Sequence, residues 1–133
     1  MLPEMRMESA QNAIGNVYKD LALTLPKGGT YFRYTSRKDD LKRDPTYTTE
    51  RVKKDLERLV ITSAEKANTK RKDPNRFIKI VPKEFAFDDN VTLLIYGNKV
   101  AHLDHTTGTA ITITSKNLAR FQEKIFKILW RKL

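Results

Sequence analysis

The side chains able to do chemistry are few, and their spacing excludes most reactions. The chain has two histidines, His102 and His105, and they flank Asp104. A metal site needs at least three converging ligands. The segment around them reads as a strand running into a turn, which puts His102 and Asp104 on one face and turns His105 away. Polar tips at a hairpin end account for these residues, and no metal is expected. A histidine that attacks a phosphodiester works in the pattern His-x-Lys-x4-Asp, where the lysine holds the phosphate oxygens. Here His102 is followed two residues on by Asp104, and His105 by Thr107, so that pattern is missing. A phosphodiesterase is therefore the least favoured function. With no cysteine, the chain has no thiol catalysis, disulfide framework, cysteine zinc site or iron–sulfur cluster. Lys27-Gly28-Gly29 precedes a strand instead of opening a helix, so it is a turn and not a phosphate loop. The paired carboxylates Asp39/Asp40 and Asp88/Asp89 sit in polar loops as solvated turn residues. No catalytic residue, cofactor or enzymatic activity is expected.

What remains is binding chemistry. Tyr31, Arg33, Tyr34 and Arg37 lie on one strand and its exit, and an arginine fork clamps phosphate or carboxylate oxygens. The expected ligand site is a cleft lined by Arg33, Arg37, Arg51 and Arg58, because these residues cluster at strand ends and the following loop, where α/β sheets place ligands. A strand with aromatic core residues and outward arginines is the simpler explanation of any one of them. A second set, Lys70, Arg71, Lys72, Arg76 and Lys79, suits nucleic acid. Residues 66–83 hold seven bases against Asp73 alone, and residues 116–133 hold six against Glu123. Such patches attract phosphates without sequence preference.

The elements that must position these residues follow from periodicity. Met7, Ala10, Ile14, Val17, Leu21 and Leu25 fall on one helical face across residues 5–25, and Pro26 with Gly28-Gly29 stops the helix. Residues 30–36 read as a strand with Phe32 and Tyr34 inward. A short charged helix opens at Thr48 and runs to about Glu57. Residues 58–62 and 76–81 read as strands, with a short basic helix between them from Ser63 to before Asp73. Val91–Tyr96, Lys99–Asp104 and Thr109–Thr114 form an antiparallel meander, joined by Gly97-Asn98 and by Thr106-Thr107-Gly108. Ser115 caps a final amphipathic helix from Lys116 to Leu133. The order is α-β-α-β-α-β-β-β-β-α, about six strands and four helices around one mixed sheet.

The chain has 133 residues, 26 Lys and Arg against 16 Asp and Glu, and a net charge of +10. That length suits one domain over residues 1–133, with residues 1–26 as an N-terminal helix serving as linker or dimerisation element. Its start carries acids and lacks the apolar run of a secretory signal, and no segment is apolar enough to span a membrane. A cytoplasmic location is expected.

The second half resembles the C-terminal effector domain of TrmB-family transcriptional regulators. The residues that carry the resemblance are Ile95-Tyr96-Gly97-Asn98-Lys99-Val100-Ala101, then Ala110-Ile111-Thr112-Ile113, then Phe126-Lys127-Ile128-Leu129-Trp130. The strands at Arg58–Thr62 and Ile78–Pro82 come in the same order, and the likeness covers about residues 10–133. It implies a phospholipase-D-like α/β fold without the catalytic motif, and a role in sensing a small molecule, often a sugar; the arginine cleft adds an anion as an alternative ligand. It further implies DNA contact through a separate winged-helix part or partner, since these residues include no winged helix. The homodimer is expected from the N-terminal helix, whose apolar face is free to pair with a second copy. The competing expectation is a nucleic-acid-binding module acting through its own basic patches.

Overall fold

The computed structural model describes residues 2–36, 44–64 and 75–133. In them one seven-stranded sheet, ordered β1-β7-β6-β5-β2-β3-β4, carries three α-helices. The strands are β1 (Glu4–Ser9), β2 (Thr30–Thr35), β3 (Glu57–Thr62), β4 (Arg76–Ile80), β5 (Val91–Tyr96), β6 (Lys99–Asp104) and β7 (Thr109–Thr114). The helices are α1 (Ala13–Thr24), α2 (Pro45–Lys53) and α3 (Lys116–Lys132). β2, β3 and β4 run parallel, while β2 pairs antiparallel with β5, and β5, β6, β7 and β1 continue antiparallel. The mixed α/β class and the C-terminal meander are those read from the sequence.

The first element is a strand and not the start of a helix. Glu4-Met5-Arg6-Met7-Glu8 alternates polar and apolar residues, and β7 offers a partner edge with Ile113 opposite Met5 and Ile111 opposite Met7. Pairing with β7 satisfies backbone groups along this length, so the twofold period wins over the helical one. The helix begins only at Ala13 and buries Ala13, Val17, Tyr18, Leu21 and Ala22 against the sheet. Its apolar face is thus spent inside its own core. The second helix starts earlier than expected, at Pro45, because Asp44 accepts hydrogen bonds from the Thr46 and Tyr47 amides and proline suits the first helical position. It also stops earlier, since Asp55 takes a left-handed φ of 56° just past the Lys54 cap, a conformation aspartate tolerates. The basic helix expected after Ser63 lies outside the described residues.

Two lysines close helix ends. Lys54 Nζ donates to the Ala22 and Leu25 carbonyls at 2.7 and 2.9 Å, at the end of α1. Lys79 Nζ donates to the Trp130 carbonyl at 2.7 Å, at the end of α3, and lies 4.9 Å from the Trp130 ring centre. Both place a cation where last-turn carbonyls gather negative charge. The other end of α3 is capped by Ser115 Oγ, which accepts from the Leu118 amide.

The core has two layers. On one face α1 and α2 cover Tyr31, Leu94, Tyr96, Ala101 and Leu103. On the other, α3 seats Phe126 against Phe32, Ile61 and Ile95. Phe126 is fully buried and its ring centre lies 5.0 Å from that of Phe32 and 4.9 Å from that of Tyr34. Truncating such a ring leaves a cavity that close packing cannot refill. Phe126→Ala should therefore lower unfolding free energy by about 3–5 kcal/mol in urea titrations, whereas a change under 1 kcal/mol would mean α3 is not docked through this ring.

Candidate functional site

α3 packs over β5 and β6 and leaves part of its sheet face open. Where β2 ends, β5 begins, β6 ends and β7 begins, a cavity of about 590 Å³ lies between the strands and the helix. Its walls are apolar: Tyr34 from β2, Leu93 from β5, Ile111 from β7, Leu129 from α3, and Phe87 from the segment after β4. A short 3-10 turn at Lys83–Phe85 redirects the chain after Pro82, and the Phe87 amide donates to the buried Ser63 hydroxyl at 2.6 Å. That contact sets the aromatic ring at the cavity wall. The rim is polar, with Ser36, Asp89, His102, Asp104, Thr107 and Thr109.

The rim groups are held by their neighbours. Ser36 Oγ donates to the Val91 carbonyl at 3.0 Å and accepts from the Val91 amide at 2.9 Å. Asp104 Oδ1 accepts from the Thr106 and Thr107 amides, which shapes the turn into β7. Behind the rim runs a hydroxyl chain: His105 Nε2 and Thr92 Oγ1 are 2.8 Å apart, and Thr92 Oγ1 and Thr35 Oγ1 are 2.8 Å apart. His102 and Asp104 do share a sheet face, as strand alternation requires, while His105 folds back to Thr92. Partial burial holds the His102 imidazole below its ordinary pKa of 6.5, because desolvation penalises the charged form. Among the described residues no group of three or more acidic or histidine side chains converges to hold a metal.

A second hollow of about 530 Å³ lies on the opposite face, lined by Glu4, Arg6, Asp20, Tyr96 and Lys99 among others. Two ion pairs run through it, Lys99 with Asp20 and Arg6 with Glu8. Burial pushes the Asp20 carboxyl up, but hydrogen bonds from Lys99 Nζ at 2.7 Å and Tyr96 Oη at 2.8 Å outweigh it and hold the pKa below the usual carboxylate value. This is an ion pair bracing α1 to the meander, with little left over for a ligand.

The arginines expected to form the cleft take a different place. Arg33 and Arg58 are only 2% and 4% exposed and sit within the α1–α2 layer, Arg58 directly opposite Tyr31 in the β2–β3 register. Arg51 lies on α2 with its guanidinium 5.8 Å from the Tyr47 ring centre, and the Tyr47 and Tyr31 hydroxyls are hydrogen-bonded. Arg33 and Arg58 are thus interior groups and Arg51 is half-buried beside Tyr47, and none of the three lines either cavity. Arg37 lies outside the described residues. The second set fares similarly: Lys70, Arg71 and Lys72 lie outside the described residues, and Arg76 and Lys79, three apart on β4, point to opposite sheet faces. Lys79 is engaged as the cap of α3.

The cavity itself went unread in the sequence because its walls come from five separate segments. The only local signal was the polar His102–Thr109 turn following an apolar strand.

No protein-family model matches the sequence, and no curated protein resembles it in sequence. Solved structures do resemble the fold. One is TrmBL2, described as an archaeal chromatin protein with a novel mode of DNA binding, with a TM-score of 0.66 and 12% identity. The match covers 96% of this chain and 51% of TrmBL2, so the chain spans about half of that protein's length. Another is NucT from Helicobacter pylori, with a TM-score of 0.67 and 8% identity, covering 98% of this chain and 97% of that one. At these identities the likeness is one of fold alone, the mixed α/β sheet with its flanking helices.

The His102 environment makes a titration prediction. Folding favours its neutral form, so its contribution is intact above about pH 6.5 and is lost as pH falls from there through the lowered folded value. The His102 ring proton signals should titrate with a midpoint below 6.5. His102→Gln should flatten the corresponding drop in thermal midpoint; a midpoint at or above 6.5 would contradict the half-desolvated rim.

Proposed function

We propose that this chain is a regulatory, ligand-sensing module of the TrmB kind, without catalytic activity of its own. The observation that carries this reading is the cavity between the strand ends and α3. An apolar chamber of about 590 Å³ with a few polar groups at its mouth is the usual form of a small-molecule site. Its chemistry selects the ligand class. Apolar walls favour an aliphatic or aromatic body, and Asp89 and Asp104 at the rim favour a hydroxylated or cationic head over an anion or a bare sugar. Arg33 and Arg58, being interior, act as framework. DNA contact belongs to a separate winged-helix part or a partner, in keeping with a likeness that spans about half of TrmBL2. The module works as a homodimer in the cytoplasm. Among the described residues no helix is long and apolar enough to cross a membrane.

A second reading, direct contact with nucleic acid, has one observation in its favour. Lys116, Arg120, Lys124, Lys127, Arg131 and Lys132 are all exposed on α3, with Glu123 as the helix's one acid. It predicts duplex binding that weakens steeply with salt, by a slope of about −0.9 per phosphate neutralised.

The two readings separate experimentally. A thermal-shift screen with medium-chain alcohols and alkylammonium ions should find stabilisation, by about 2.7 kcal/mol at a hundredfold excess over Kd. Ile111→Trp, which fills the cavity from a half-buried wall position, should remove that shift while leaving the unliganded midpoint within a few degrees. An undiminished shift in the variant would take the cavity out of the site. Duplex DNA titrated at about 50 and about 200 mM salt should show no tight binding by this chain alone; affinity falling by orders of magnitude between the two would favour the second reading.

A further inference from the structure

The cavity between the strand ends and α3 has a charge pattern opposite to that of the chain. The chain holds 26 Lys and Arg against 16 Asp and Glu. Among the described residues, the wall and rim of the cavity include Asp89 and Asp104 and neither a lysine nor an arginine. Bases on the neighbouring elements are drawn elsewhere. Lys127 of α3 turns to Glu123 and the Phe32 ring, and Lys79 of β4 donates to the Trp130 carbonyl at 2.7 Å. The two carboxylates keep room to accept. Asp104 is half-buried, and its Oδ1 takes the Thr106 and Thr107 amides at 3.0 and 3.4 Å, which fixes the group in place. Its Oδ2, and the whole exposed carboxylate of Asp89, take no hydrogen bond among the described residues.

The wall adds the second half of a cation site. Tyr34 and Phe87 line the cavity from β2 and from the segment after β4. Each is held from behind, Tyr34 by the Phe126 ring at 4.9 Å and Phe87 by the hydrogen bond from its amide to Ser63. Aromatic rings attract an organic cation, most strongly where water is kept out. His102 shares the sheet face of Asp104, and partial burial keeps its imidazole neutral near pH 7, with one ring nitrogen able to accept. The three classes of polar head are thereby ranked. A carboxylate or phosphate meets two like charges and no base. A hydroxyl finds hydrogen-bond acceptors but no Coulomb attraction. An ammonium finds both. A bare metal ion is unsuited, because among the described residues no three acidic or histidine side chains converge and the space behind the rim is apolar.

We propose that the cavity takes a hydrophobic organic ammonium, with its charged head between Asp89 and Asp104 at the mouth and its apolar body among Tyr34, Phe87, Leu93 and Leu129. The inference rests on the reading of this cavity as the sensing site, and it narrows the ligand from a hydroxylated or cationic molecule to a cation. The net charge of +10 opposes a cation at long range, but at physiological salt exposed charges are screened over about 8 Å, so the carboxylates at the rim decide.

The test is calorimetric titration of the full chain with three probes that share one aromatic body and differ in the head: 2-phenylethylammonium, 2-phenylethanol and 3-phenylpropionate. The ammonium should bind tighter than the alcohol by about tenfold or more, and the carboxylate should bind weakest of the three. Ile111→Trp should remove the ammonium's binding by filling the chamber. Asp89→Asn combined with Asp104→Asn should bring the ammonium and the alcohol to within about threefold of each other. Asparagine at 104 can still accept the two turn amides through its Oδ1, so the turn is kept. Asp89→Asn alone, at an exposed position, should already narrow the preference and carries the test if the double variant fails to fold. Asp88→Asn, at the adjacent carboxylate that does not line the cavity, should leave the preference whole. An alcohol that binds as tightly as the ammonium overturns this proposal and leaves the cavity a binding site. No binding by any of the three overturns both the proposal and the sensing reading. An ammonium preference that survives Ile111→Trp or the double asparagine variant, or that Asp88→Asn alone removes, puts the cation elsewhere and overturns the proposal as well.

Discussion

The architecture hangs on strand β2, where the parallel half of the sheet meets the antiparallel half. It pairs parallel with β3 and antiparallel with β5, so it is the one strand on which both registers must agree. It is also covered on both faces: Tyr31, Arg33 and Thr35 enter the α1–α2 layer, and Phe32 and Tyr34 enter the α3 layer. A one-residue slip would exchange these sets. It would bring a guanidinium against Phe126 and set two aromatic rings among Arg58 and the tyrosine hydroxyls. Bringing a charge or a phenol into an interior costs several kcal/mol unless it finds polar company. The polar members of β2 therefore fix the register as firmly as the rings do. Burial, then the nearby Tyr47, pushes the Tyr31 phenol well above its ordinary pKa, and its hydroxyl is hydrogen-bonded to that of Tyr47.

From that seam the two faces are finished differently. α1 and α2 together cover one face, braced by Asp20 between Lys99 and Tyr96 and by Lys54 at the end of α1. The other face has α3 over β5 and β6. Among the described residues α3 is the one helix on this face, and the remainder takes in the cavity at the strand ends, then Ile111 and Ile113, then Met5 and Met7 at the edge. The sheet must carry hydrophobic residues on both faces near its centre to fold at all. Part of that apolar layer stays exposed among the described residues.

How much of this the residues announce depends on how local each cause is. The meander was legible because Gly97-Asn98 and Gly108 sit between clean alternations; Gly97 and Gly108 adopt φ of 54° and 69°, which their types allow cheaply. The Ser115 cap was legible for the same reason. β1 was not, since Met7, Ala10 and Ile14 satisfy a helical period as well as Met5 and Met7 satisfy a twofold one, and the decision lies with β7 a hundred residues away. The arginines misled because exposure is a property of the finished fold. Arg33 alternates with aromatic residues like an outward side chain, yet α1 and α2 close over its face. The aromatic pair Phe32 and Tyr34 was read as inward correctly, but as the only inward set. The cavity needs strand order, and strand order is what short-range patterns carry least.

A sensor must favour one arrangement over another by differential contact, and the coupling is reciprocal. On the sensing reading proposed above, α3 is the element that joins the cavity wall to the exposed helix surface. Leu129 lines the cavity, and Ile125 and Ile128, its neighbours on the helix surface, are exposed. Ser115 fixes one end of the helix and Lys79 holds carbonyls at the other, so α3 tends to shift as a body instead of fraying. A molecule that fills the cavity presses on the same helix that presents these exposed residues. Sub-ångström shifts of a packed helix suffice, because close-packed layers move between discrete arrangements and do not deform smoothly. The interior arginines have no such position. Enclosed under α1 and α2 on the far face, they set the framework against which α3 moves.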